Sequence, residues 1–275
     1  MGQWDAWIGR TQQQSDVLTP ALVRRFRATI DSGETGEVAP QGIHWCLCLP
    51  ETATDELGPD GHPKRGDFMP PVPLPRRMWA SSNVRFHVPL ISGTAISRSS
   101  TISDIAEKQG ASGLLVFVTI DHETWAEGVL AISERQSVVY RDSPTAAAPT
   151  TPNEGAVDLS VWPIYRSIIP SAPLLFRYSA LTFNSHRIHY DQPYATSVEG
   201  YSGLVVHGPL IASMLLDLAA REFGQNALTQ FSMRAVSPAF TGEPLHLVGS
   251  VDGRVVSLAA LANNGRTILS AEAEV

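Results

Sequence analysis

The chain has 275 residues, 43% of them hydrophobic and 17% charged, with a formal net charge of -7 and a pI near 5.6. That is globular composition, sufficient for one large domain or two small ones, and too apolar for a disordered chain. The acidic balance speaks against a nucleic-acid binder, and no apolar run reaches the roughly 20 residues of a membrane-spanning helix.

The first residues, Met1-Gly-Gln-Trp-Asp-Ala-Trp, lack the basic-then-apolar pattern of a secretory signal. Ala6 stands where a myristoylation signal needs Ser or Thr, so a cytoplasmic protein is expected. A short amphipathic helix is predicted over Thr19–Ile30, with Pro20 in its first turn. Cys46 and Cys48 are too close for a good disulfide and too few for a zinc site, so reduced core thiols are expected. Residues 58–75 carry Pro59, Pro63, Pro70, Pro71, Pro73 and Pro75. A loop so long and stiff reads as a preorganised wall beside a ligand. The arginines that cluster locally (Arg24, Arg25 and Arg27; Arg76 and Arg77) suit a small phosphorylated ligand.

Next comes Arg85-Phe-His-Val-Pro89-Leu-Ile-Ser-Gly93, then period-2 segments at 102–105, 114–120 and 129–140 that read as strands. Residues 142–155 hold three prolines and no large apolar side chain, which is linker composition. The chain therefore divides into 1–141, the linker 142–155, and 156–275. The second part repeats the pattern Arg-x3-Pro-x3-Gly at Arg234–Gly242, offset by 149 residues (234 − 85). Strand-like segments again follow, at 245–251, 255–261 and 267–275. A duplication is expected, each copy an antiparallel sheet wrapped on a central helix in an α+β arrangement. The clearest helix, Pro209–Phe223, is apolar nearly all round and stops at Gly224, which predicts burial on most sides.

The chemistry concentrates just before that helix. Tyr178 to Tyr190 brings together Asn184, His186, Arg187 and His189, and Val206-His207-Gly208 leads into the helix start. A helix start carries unpaired N–H groups and a partial positive charge. Gly208 leaves its own N–H open to a ligand oxygen, which makes an oxyanion site or merely a cap. Three readings of the histidines stand together. They form a zinc site of His186, His189 and His207; they are structural; or His189 is a general base at the lip of the helix start.

These motifs resemble the MaoC-like double hot-dog hydratases and dehydratases. Thr182-Phe-Asn184-Ser-His186-Arg187-Ile-His189 matches the signature Gly-Asp-x-Asn-Pro-Leu-His, and Val206-His207-Gly208 matches its turn into the central helix. The 70–79 run Pro-Pro-Val-Pro-Leu-Pro-Arg-Arg-Met-Trp, Glu107-Lys108 and Gly113–Thr119 bring the resemblance closest to itaconyl-CoA/mesaconyl-CoA hydratases and mitochondrial-type 3-hydroxyacyl thioester dehydratases. The resemblance implies a double hot-dog with a degenerate first copy that shapes the acyl pocket. It implies reversible hydration of an α,β-unsaturated acyl-CoA, with no metal, no cofactor beyond the coenzyme A of the substrate, and a homodimer. His189 is then the base, Asn184 positions water, and the Gly208 N–H holds the thioester oxygen. Arg76, Arg77, Trp79, Arg187, Tyr190 and His207 bind substrate.

The departure from the signature is Asn184, where the family pattern has aspartate. An amide orients water but takes no proton at neutral pH, which leaves His189 as base alone or assisted by Asp191. The arginines favour a C5 branched dicarboxyl thioester, itaconyl-CoA or mesaconyl-CoA, giving citramalyl-CoA. The alternatives are an (R)-3-hydroxyacyl-thioester dehydratase of fatty acid metabolism, a non-catalytic acyl-CoA binder, and a thioesterase using Asp217. An unperturbed histidine base predicts activity rising through about pH 6–7.

Overall fold

A computed structural model describes residues 3–110, 113–142 and 156–275. The proposed linker therefore lies, but for Asp142, outside the described residues. The first part of the chain runs β1 (Thr11–Val17), α1 (Pro20–Ile30), β2 (Arg76–Phe86), β3 (Ala95–Gly110), β4 (Gly113–Ala126) and β5 (Val129–Arg141). The second runs β6 (Ile164–Ile168), α2 (Ala172–Leu181), α3 (Gln192–Ser197), α4 (Gly208–Phe223), β7 (Gln230–Ala235), β8 (Leu245–Asp252), β9 (Val255–Ala262) and β10 (Thr267–Glu274).

All strand pairs are antiparallel and join into one ten-stranded sheet, ordered β1-β3-β4-β5-β2-β7-β10-β9-β8-β6. Within each part the order is the same: first strand, third, fourth, fifth, second. The two copies meet along β2 and β7, where Asn83 pairs with Ser232 and Asn83 Nδ2 donates to Ser232 Oγ at 2.7 Å. Those two positions are 149 residues apart (232 − 83), the offset of the sequence repeat, so they sit at the centre of a pseudo-two-fold. This is a double hot-dog whose two sheets fuse edge to edge.

One detail differs from the expectation of a central helix in each copy. Among the described residues only α4 is a long central helix. At the corresponding place in the first copy there is a single 3-10 turn, Ile43–Cys46. The prolines that follow withhold N–H donors and block helix propagation. The proline-dense loop instead buries Val72 and Leu74 with Trp4, Ile102, Val116, Val118, Ile120 and Tyr140, a second core over the long hairpins. The main core packs α4, whose residues Leu210–Ala219 are all buried, against Leu18, Phe26, Ile30, Ile43 and Leu47 of the first copy.

The local signals hold where they are strong. Thr19 caps α1 by accepting from Leu22 N at 3.1 Å, and Gly224, with φ +97, ends α4. Cys46 and Cys48 are free and buried. No helix of the described residues is long and apolar enough to cross a membrane.

Candidate active site

The site is built at the N-terminus of α4. His189 ends a 3-10 turn, Arg187–His189, and is buried. Its Nδ1 lies 2.7 Å from the Val205 carbonyl oxygen. A carbonyl only accepts, so Nδ1 carries the proton and the lone pair rests on Nε2. Burial is the main reason its pKa falls to about 4; the Val205 bond opposes that shift and the neighbouring His62 adds to it. His189 is thus a neutral imidazole at pH 7 with Nε2 able to take a proton. The expectation of a base titrating at pH 6–7 is corrected downwards, because it assumed a solvated ring.

His207 stacks on His189 with ring centroids 3.6 Å apart and an interplanar angle of 18°. Its Nε2 meets Ser179 Oγ at 2.8 Å. Near-parallel stacking cannot turn both lone pairs onto one ion, so the geometry of the alternative three-histidine zinc reading is not formed. Among the described residues the donors that converge are instead Asp60, His62 and His186, whose atoms lie within 4.8 Å of one another. There Asp60 and His62 already bond to each other, with Oδ2 and Nδ1 at 3.0 Å.

His207 occupies the N-cap of α4 without a side-chain cap bond. Pro209 has no N–H, and the N–H groups of Gly208 and Leu210 meet no acceptor among the described residues. The helix start therefore presents the Gly208 N–H with the macrodipole behind it, while Leu210 is buried. Trp79 leans on Gly208: a Cβ there would lie 3.1 Å from Trp79 Cε3. The indole is held by Nε1 donating to Ser82 Oγ at 3.1 Å and stands edge-on to Trp45 at 5.3 Å.

Other expected site residues are placed differently. Asn184 Oδ1 accepts from the His186 N–H at 2.9 Å, which shapes the turn and leaves one lone pair for a further donor. Arg76 is buried and paired with Glu199 (Nε to Oε2, 2.9 Å), over the Tyr201 ring. Arg187 binds Asp191 Oδ2 through Nε at 2.9 Å and Nη2 at 2.7 Å, donates to Pro59 O and covers the Tyr194 ring. Both were expected to bind substrate, but each guanidinium is already engaged within the chain. Asp191 is tied to Arg187 and caps α3 through Tyr194 N at 3.1 Å. Tyr190 is half exposed and makes none of the ring contacts that join the histidines. Arg77 is the exception: it has no hydrogen-bond or ion-pair partner among the described residues, and its charge bears on His62 and His186.

The residues missed in the sequence are Asp60 and His62. The turn 58–62 docks on the histidine segment through Arg187 N to Asp60 O (2.9 Å) and Ser185 Oγ to Gly61 O (2.5 Å). It brings the His62 ring to 4.0 Å from that of His186, which in turn meets His189 edge-on at 5.5 Å. The available signal was Asp60-Gly61-His62, a turn dipeptide followed by histidine within the loop already read as a wall. On the other face of α4, Asp217 is buried between Arg166 (3.1 Å) and Arg221 (2.7 Å). That carboxylate is neutralised in place and is not poised for thioester hydrolysis.

The chain is 41% identical over 280 residues to a mesaconyl-C(4)-CoA hydratase of Chloroflexus aurantiacus, covering 99% of this chain and 98% of that protein. It is 26% identical to a mitochondrial hydroxyacyl-thioester dehydratase type 2 of Schizosaccharomyces pombe, covering 87% of this chain and 90% of that one. A solved MaoC-like dehydratase superposes with a TM-score of 0.74 at 15% identity, covering 98% of both chains. The family model for hydroxyacyl-thioester dehydratase type 2 matches residues 42–241, a span that includes His62, Trp79, the histidine segment and α4 together, and the chain belongs to that family.

Proposed function

We propose that this protein is a hydro-lyase that reversibly hydrates an α,β-unsaturated acyl-CoA, with a C5 branched dicarboxyl acyl group such as mesaconyl or itaconyl. The observation that carries it is a tautomer-fixed imidazole beside an uncapped helix start. His189 Nε2 takes a proton from a water that Asn184 helps to orient, and the water oxygen adds to Cβ. Charge moves to the thioester oxygen, where the open N–H of Gly208 receives it. Donors aimed at that oxygen are worth about 10²–10³ in rate each. The chemistry needs no cofactor, since coenzyme A arrives with the substrate.

Arg77 supports the dicarboxyl substrate. Of the three arginines expected at the substrate it alone keeps a free guanidinium, and a carboxylate is its natural bidentate partner. The extensive similarity to a mesaconyl-C(4)-CoA hydratase points the same way. The test is turnover of mesaconyl-CoA, itaconyl-CoA and crotonyl-CoA side by side, for the wild type and His189→Ala. Fast loss of the enoyl thioester with a dicarboxyl substrate, abolished by the substitution, is the expected result. Preference for crotonyl-CoA reassigns the protein to fatty 3-hydroxyacyl thioesters, and binding without turnover of any of the three overturns the enzyme.

A further inference from the structure

Hydration needs two proton transfers, one from water and one to Cα, and Asn184 can perform neither. The carboxylate that the histidine cluster does contain is Asp60, supplied by the first copy of the fold. It makes two bonds to one residue: Oδ1 accepts from the His62 backbone N–H and Oδ2 meets His62 Nδ1, each at 3.0 Å. The first bond is an ordinary turn closure. The second is not required by the turn, and it fixes the imidazole with its proton on Nδ1 and its Nε2 outward, as a carboxylate orients a catalytic histidine. The Asp60 and His62 side chains are each about 20% exposed, whereas His189 is buried. The turn that carries the dyad tolerates only glycine at position 61, where φ is +86 and a Cβ would lie 1.9 Å from Ser185 O.

We propose that His62, held by Asp60, is a second acid–base group of this site, handing the proton to Cα while His189 handles water at Cβ. The inference rests on the hydratase reading above. In hydration, His189 Nε2 takes a proton from water as its oxygen bonds to Cβ, and the Cα=Cβ pair moves into the thioester to form the enolate. Cα then bonds the proton carried on Nε2 of protonated His62, which is left neutral. The proton on His189 returns to His62 past the His186 ring, which lies between them, and the site is reset. One proton is thus shared by two imidazoles; dehydration starts with it on His189.

The charged and titratable groups facing His62 are Asp60 and Arg65 on its own loop, Arg77 on β2, and His186 and His189 of the histidine segment. Burial and the two arginines lower its pKa, while Asp60 raises it. A substrate carboxylate seated on Arg77 removes part of that repulsion, so a dicarboxyl substrate charges its own acid.

The experiment compares kcat for hydration between pH 5 and 9, on whichever of mesaconyl-CoA, itaconyl-CoA or crotonyl-CoA the wild type turns over best. Wild type, His62→Gln, Asp60→Asn and His62→Gly with and without added imidazole are measured, with thermal melts as folding controls. A general acid contributes about 10²–10⁴. We expect kcat to fall about 10²-fold or more in His62→Gln, with loss of the wild-type fall on the alkaline side. Imidazole should restore His62→Gly. An active wild type with folded His62 variants within threefold of it, or variants that keep the alkaline limb, overturns this proposal and leaves the hydratase reading intact. Wild-type inactivity on all three substrates overturns the hydratase reading itself. Activity lost to a chelator and restored by zinc makes the cluster a metal centre and also overturns the proposal.

Discussion

Gly61→Ala isolates the docking of the first copy onto the histidine segment. The substituted residue keeps φ near +86, which costs an L-residue about 1 kcal/mol by itself. Its Cβ would meet the Ser185 carbonyl oxygen at 1.9 Å, against an ordinary contact of about 3.4 Å, so turn and segment must part by about 1.5 Å. That separation breaks Arg187 N to Asp60 O (2.9 Å), Ser185 Oγ to Gly61 O (2.5 Å) and Arg187 Nη1 to Pro59 O (3.0 Å). At about 1 kcal/mol net for each bond plus the backbone strain, the local loss is about 4 kcal/mol. Both cores lie elsewhere, so the fold persists while the turn undocks. Trypsin reads this out, because Lys64 and Arg65 follow the turn directly. Cleavage there should accelerate by an order of magnitude or more, with turnover down at least tenfold. Gly93→Ala is the control, with φ +94 and open space around its Cβ position. It carries the strain without the collision and should leave proteolysis unchanged. Equal behaviour of the two variants would refute the docking argument.

Arg76 and Arg77 are adjacent in sequence but separate in effect. Arg76→Ala strands the Glu199 carboxylate, half-buried beside it, and should cost about 3–5 kcal/mol in a urea melt. Arg77→Ala should leave the melt unchanged and raise KM for a dicarboxyl thioester at least tenfold, with crotonyl-CoA unaffected; equal effects on both substrates count against a carboxylate contact. Gly208→Ala pushes Trp79 by a few tenths of an ångström from its 3.1 Å approach, and is expected to lower kcat about tenfold with a stability change under about 1 kcal/mol. Stability should also fall with acid. Above pH 6.5 His189 is neutral folded or unfolded; between 6.5 and about 4 the unfolded chain binds a proton that the folded site refuses, and stability is lost as pH falls through that window. Over 2.5 pH units (6.5 − 4) His189 alone accounts for about 3 kcal/mol. Urea midpoints at pH 7.5 and 5 test it, and an unchanged midpoint would contradict the burial argument.

Legibility followed range along the chain. The helix over 209–223, its glycine stop and the Thr19 start are local signals, and the structure reproduces them to within a residue. The segment from Asn184 to Gly208 lies close in sequence, so its gathering of His189, His207 and the helix start was readable in outline. His62 reaches His186 from 124 residues away (186 − 62), and no local pattern announces such an encounter. The strands β2 and β7 were missed for a related reason. β2 directly follows the proline loop, and β7 is short, yet together they form the seam of the molecule. The arginines were misjudged because free cations and paired ones look alike in sequence. Arg187 with Asp191 four residues on was a visible helical-spacing pair, whereas the partner of Arg76 is Glu199, 123 residues distant.

The pseudo-two-fold shows why the histidine cluster forms in one copy and not in both. His207, the N-cap of α4, has its counterpart in the first copy in His44, within the 3-10 turn Ile43–Cys46. The second copy inserts the histidine segment ahead of His207; the first has no room for it, with 16 residues from Ala28 to His44 against 27 from Ala180 to His207. His44 is instead sealed beside Glu134, Nε2 to Oε2 at 3.5 Å. Burial acts to raise the Glu134 acid, but His44, His122 and Ser82 outweigh it and hold the pKa at about 2, so a charged carboxylate sits inside the first copy. That carboxylate accepts from Trp45 Nε1 and from Ser82 Oγ, and Ser82 Oγ in turn receives the indole N–H of Trp79. Trp79 is the ring that leans on Gly208. The copy that lacks the histidine segment thus retains a buried polar chain that holds Trp79 against Gly208, while its proline loop delivers Asp60 and His62 to the histidine segment. In the proposed hydratase, either contribution makes the first half of the chain part of a reaction centred in the second.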